Sequence, residues 1–72
     1  MDLRRLVGSN VRHWRLRLGV SQEELAFRAD LHRTYVSGVE RGIRNPTTLI
    51  LGRLAKALGI EPDQLLSNKK PR

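Results

Sequence analysis

Only a tight turn fits between two short amphipathic segments near the middle of this chain, and that junction limits the fold more than any other feature. Ser21-Gln22-Glu23-Glu24 has the S-x-x-E form of a capping box, in which the Ser21 hydroxyl and the Glu24 carboxylate satisfy orphan amides of a starting helix. The pattern predicts a helix reaching about Ala29, with Leu25, Ala26 and Ala29 on its inner face. Asp30-Leu31 makes the turn, and a helix follows from His32 or Arg33 to Arg41, closed by Gly42. At about 100° per residue, Val36 and Val39 point inward, while Thr34, Ser37, Gly38 and Arg41 point outward. Ala26 is small, as it must be where two helices cross closely.

Three further helices are predicted around this pair. Val7, Val11, Trp14 and Leu18 recur at steps of four and three, which places them on one face of a helix from about Asp2 to Leu18, ended by Gly19. Asn45-Pro46-Thr47 starts a helix with Leu51, Leu54, Ala55 and Leu58 on one stripe and Gly59 as its stop. Glu61-Pro62-Asp63 opens a short one through Leu66. The expectation is an all-α, compact five-helix domain over residues 1–66, with a basic tail, 67–72, expected to be disordered. There is no internal repeat.

A chain of 72 residues allows one domain, which buries only about 60% of the surface its unfolded form would expose. The absence of cysteine excludes disulfides and thiolate metal sites and fits a reducing cytoplasm. His13 and His32 stand on separate helices and suggest no metal site, and no cofactor is expected. MDLRRL lacks the apolar stretch of a secretory signal, and no run approaches the roughly 20 residues that span a bilayer. A cytoplasmic protein without a membrane partner is expected. No histidine is paired with a nucleophile and no carboxylate pair has a catalytic setting, so neither an enzyme nor a small-molecule substrate is expected. Net charge is +7, and 11 of the 14 basic residues are Arg, whose guanidinium grips a phosphate with two parallel bonds. A polyanionic partner and a merely solvated basic surface are both compatible with this composition.

The residues themselves narrow the choice. Ser21-Gln22-Glu23-Glu24-Leu25-Ala26, then Arg33-Thr34-Tyr35-Val36-Ser37-Gly38-Val39-Glu40-Arg41-Gly42, then Asn45-Pro46 and Leu54-Ala55-Lys56-Ala57-Leu58-Gly59 together resemble the phage repressor and Cro type of helix-turn-helix, the xenobiotic-response-element family. The resemblance covers about residues 5 to 66. It implies a lambda-repressor-like fold and a sequence-specific, double-stranded DNA-binding transcriptional regulator whose third helix, about residues 32–41, enters the major groove. The run Arg33-Thr34-Tyr35-Val36-Ser37-Gly38 is also similar to those in controller proteins of restriction-modification systems.

Carried over residue by residue, the resemblance makes Arg33 the leading base reader, able to donate two bonds to guanine, and Thr34 and Ser37 its companions. A contact to phosphate alone is the other reading for each. Ser21, Gln22, Tyr35, Arg44 and Asn45 become phosphate ligands, which fix register without reading sequence. Gln22 is expected also to brace the start of the third helix, and a half-buried core position is the plainer reading of Tyr35. Gly38 stands where relatives often place a reading side chain. Either the backbone approaches DNA closely there, or a short helix tolerates a glycine.

Arg15 lies next to the buried stripe of its helix and Glu40 about 70° off the buried centre of its own. The family commonly joins these positions in a structural ion pair. Asp30 departs from the glycine usual in the turn, but Asp accepts the left-handed conformation better than most residues. Leu49, Ile60, Leu65 and Leu66 form a candidate dimer patch, since relatives often dimerise there. A two-fold homodimer would set two reading helices about 34 Å apart, matching a palindromic operator. An antitoxin-like protein that binds a protein partner and represses its own operon is the alternative, although most such proteins carry an extra segment and only SNKKPR lies beyond these helices.

Overall fold

The computed structural model describes residues 2–68, and they form four α-helices and one 3-10 helix. The α-helices are α1 (Leu3–Leu18), α2 (Gln22–Ala29), α3 (Arg33–Glu40) and α4 (Thr48–Leu58). The segment expected as a fifth α-helix is a single 3-10 turn, Pro62–Leu65. Four residues do not close a second α-helical turn, and the Leu66 amide bonds back three residues to Asp63. The chain is all-helical as expected; the count of five α-helices is corrected to four.

Side chains start three of these helices. The Asp2 carboxylate accepts from the Arg4 amide, Ser21 Oγ from the Glu24 amide at 2.9 Å, and Thr47 Oγ1 from the Ile50 amide at 3.2 Å. Thr47 caps α4, so Pro46 lies before the cap. Glu24 does not complete the expected reciprocal box, because its carboxylate turns along the helix to Arg28 Nε at 2.7 Å.

All four α-helices end in the same way. The amide just after a left-handed residue reaches the carbonyl five residues back: Val20 to Arg15, Leu31 to Ala26, Ile43 to Gly38 and Ile60 to Ala55. The turn requires one left-handed residue, which is Gly19, Gly42 and Gly59 after α1, α3 and α4. After α2 it is Asp30, at φ 57°, as expected from its tolerance of that conformation. Arg53 of α4 secures this strained end, since its Nε donates to the Ala29 carbonyl at 3.0 Å and its Nη2 to that of Asp30.

α3 packs between α1 and α2, α4 closes against α2, and the 3-10 helix lies on α4 and α1. The core is aliphatic: Val7, Val11, Leu25, Ala26, Ala29, Val36, Val39, Leu54, Ala55, Leu58 and Leu65. Trp14 and Tyr35 pack on its edge, while Phe27 is 81% exposed. The stripe expected on α1 is corrected at its end, where Leu18 is exposed and Arg15 is buried in its place.

Two polar or small positions set how α1 meets its neighbours. Gly8 lies so close to the end of α3 that a Cβ there would strike the Val39 carbonyl oxygen and stand 2.8 Å from that of Glu40. Asn10, completely buried, donates from Nδ2 to the carbonyls of Leu65 and Ser67, each at 2.9 Å. The chain at Ser67 is therefore tied to α1, against the expectation of a tail free from residue 67; residues 69–72 lie outside those described.

Candidate nucleic-acid interface

The outer face of α3 stands on a helix that is fixed from below. Arg15 of α1 grips Glu40 with two bonds, Nε to Oε2 at 2.6 Å and Nη2 to Oε1 at 3.0 Å, and its Nη1 donates to the Val20 carbonyl at 3.0 Å. Both side chains are more than nine-tenths buried. The Glu40 carboxylate raises the pKa of Arg15 above its ordinary value, chiefly through these hydrogen bonds. Gln22 Nε2 adds a third donor to Glu40, at 3.1 Å. The amide of Gln22 thus braces the last residue of α3, not its start as expected. The Glu40 carboxylate thus joins α1, α2 and α3, and Arg15 ties in the loop between the first two.

Arg33 and Thr34, the first two residues of α3, are exposed, and Ser37 one turn on is half-buried. His32 precedes them without a side-chain hydrogen bond to the helix, and the first turn carries no acidic residue. The amides of Tyr35 and Val36 both reach the His32 carbonyl. α2 differs, because Glu23 and Glu24 occupy its first turn and offset the positive potential of that helix end. Arg33 shares an open cleft with Ser21, Gln22, Glu23 and Arg15. The folded chain thereby brings a candidate base reader together with two candidate phosphate ligands from the preceding helix.

A second group gathers toward the other end of α3. The loop after α3 folds back so that the amides of Ile43 and Arg44 both reach the Gly38 carbonyl, at 3.0 and 3.3 Å. This carries Arg44 across Gly38 and sets its guanidinium carbon 6.0 Å from the centre of the Tyr35 ring. Gly38, expected to point outward, is therefore buried beneath a neighbouring arginine. Asn45 is exposed beside this group, and Tyr35 is half-buried.

The apolar candidates divide. Leu49 is 80% exposed, Leu66 48% exposed and Ile60 half-buried, whereas Leu65 is completely buried in the protein's own core. Leu65 is thus removed from the candidate dimer patch, since it faces α1 and α4 from the inner side of the 3-10 turn while Leu66 follows outside. Among the described residues no helix is long and apolar enough to cross a membrane.

Sequence reasoning missed Gly8, Asn10 and Arg53. Asn10 carried a signal, because it falls three residues after Val7 on a buried face, where a polar side chain needs partners. Gly8 and Arg53 act through distant backbone, and no local pattern marks them.

Two short helices joined at a left-handed turn, the second presenting a polar face and buttressed by the rest of the chain, define a helix-turn-helix protein. Residues 11–65 match the family described as Helix-turn-helix, and the chain belongs to this family of DNA-binding transcriptional regulators. It is similar to Control protein C.BamHI of Bacillus amyloliquefaciens, with 48% identity over 66 residues that make up 90% of this chain and 82% of that protein. Control protein C.SmaI of Serratia marcescens is 44% identical over 69 residues, 96% of this chain and 82% of that one. The crystal structure of the restriction-modification controller protein C.AhdI from Aeromonas hydrophila matches with a TM-score of 0.84 at 47% identity, covering 86% of this chain and 94% of that chain.

Proposed function

We propose that this protein is a restriction-modification controller that binds a palindromic DNA operator as a homodimer in the cytoplasm. α3 lies in the major groove, with Arg33, Thr34 and Ser37 against base edges and Ser21, Gln22, Tyr35, Arg44 and Asn45 on flanking phosphates. Leu49, Ile60 and Leu66 form the contact between protomers, whose two-fold axis is mirrored by that of the operator.

The observation that carries this reading is the cleft shared by Arg33, Ser21 and Gln22. Reading requires a helix whose position is set by contacts that do not depend on sequence, and here the start of α2 supplies groups for phosphate directly beside the start of α3. The Arg15, Gln22 and Glu40 network holds the two helices in one relative position. Net charge of +7 and the similarity to named control proteins support the same reading.

Selection of bound duplexes from a random DNA pool, repeated at two salt concentrations, tests it. The expected result is a palindromic motif and an affinity that falls steeply with salt as counterions are released. Equal binding to all duplexes would overturn it.

A further inference from the structure

We propose that Gly38 is a positioning residue for DNA binding: its missing side chain forms the seat that holds Arg44 beside the Tyr35 ring, so that the guanidinium meets a backbone phosphate already in place. The inference rests on the reading that α3 faces DNA.

Glycine in a helix lowers helix stability, so its presence as the sixth of the eight residues of α3 calls for a compensating role. Close approach of DNA to the bare backbone does not fit, because Gly38 is buried by the protein itself. A Cβ at Gly38 would lie 2.6 Å from Arg44 Cγ, 3.3 Å from Nε and 3.5 Å from Cδ. The arginine thus runs lengthwise over the space that any other side chain would fill. Tyr35, three residues before Gly38 and on the same flank of the helix, places its ring 6.0 Å from the guanidinium carbon. Arg44 as a whole remains exposed, so its charge stays accessible to a partner. A long side chain already lodged in one path loses less freedom on binding than one that must be ordered at contact.

The three atoms nearest to a Cβ at Gly38 all belong to that flexible, exposed arginine. Alanine therefore displaces Arg44 without disturbing the core, and it suits a helix better than glycine does. Gly8 is the opposite case, since the atoms near its Cβ position are backbone carbonyls that cannot swing away.

The test uses the full chain, the duplex selected above, and the variants Gly38→Ala, Arg44→Ala and the double substitution, each measured for thermal melting and for affinity at several salt concentrations. Gly38→Ala is expected to melt at or above the wild-type temperature while losing about tenfold in affinity, the scale of one charge-assisted bond. Arg44→Ala should lose about as much, the double variant no more than Arg44→Ala alone, and all three should show a salt dependence shallower by about one phosphate contact. A double variant that loses the product of the two, about hundredfold, would place DNA against the α3 backbone and overturn the seat. So would Gly38→Ala with unchanged affinity, or with a lowered melting temperature. A wild-type chain that binds no duplex overturns the parent reading as well, and it does so before any substitution is made.

Discussion

Arg15 and Glu40 meet in two parallel bonds of 2.6 and 3.0 Å beneath the helix that presents the candidate reading face. They are 25 residues apart in sequence and almost wholly shielded from water. Neither would be stable there without the other, because an unpaired buried charge keeps its desolvation cost and loses its partner.

Replacing Arg15 or Glu40 singly by alanine is therefore expected to cost about 3 to 5 kcal/mol, with the double variant costing clearly less than the two singles combined. Urea denaturation of the three variants measures this. Because Glu40 raises the pKa of Arg15 above its ordinary value, the arginine's contribution is fully present below the unfolded pKa and is lost only as pH climbs through the folded one. The cost of Arg15→Ala should accordingly be flat between about pH 6 and 10.

Gly8→Ala should destabilise by about 1 to 3 kcal/mol, even though alanine favours a helix by about 1 kcal/mol. The added methyl meets the carbonyls of Val39 and Glu40, so α1 can accept it only by moving away from α3. Thermal melting checks the stability. A variant that remains folded should also bind DNA more weakly, because the buttress of the reading helix has shifted.

Asp30→Gly is expected to raise stability by up to about 1 kcal/mol, since it removes an L side chain from the left-handed region. The exposed contact it gives up, Arg53 Nη2 to Asp30 Oδ2 at 3.6 Å, is of a kind worth little. Arg53 reaches the Ala29 and Asp30 carbonyls in either case. Chemical denaturation should show a higher midpoint with an unchanged slope.

Much of this was legible along the chain because helix ends and buried stripes are local patterns. The Ser21 cap, the Gly19 and Gly59 stops and the inward Val36 and Val39 each depend on neighbours within a turn or two. Asp30 was readable as a left-handed substitute for glycine by the same logic. The pairing of Arg15 with Glu40 came from a resemblance, since no local rule joins two residues on helices so far apart. The misreading of Gly38 is tertiary. Gly38 lies on the flank of α3, and only the path of the following loop puts Arg44 over it. Leu65 and Leu66 differ in burial because Leu65 ends the 3-10 turn packed on α1 and α4 while Leu66 lies just beyond it.

Leu49→Glu tests the dimer patch. With Leu49 80% exposed, the substitution should leave the folded monomer within about 0.5 kcal/mol of its original stability. It should shift sedimentation toward the monomer and reduce binding to a full palindrome more than to a half-site. An unchanged oligomeric state would remove Leu49 from the interface.

In the proposed complex, residues of α3 read bases while the start of α2 anchors the backbone. Affinities of Arg33→Ala and Gln22→Ala for the selected operator and for a set of its single-base variants test it most directly. Arg33→Ala should lose about 1 to 3 kcal/mol on the operator and cease to discriminate at one position of each half-site, while Gln22→Ala should weaken every duplex by a similar factor. If both variants weaken all duplexes alike, the division between reading and anchoring is contradicted.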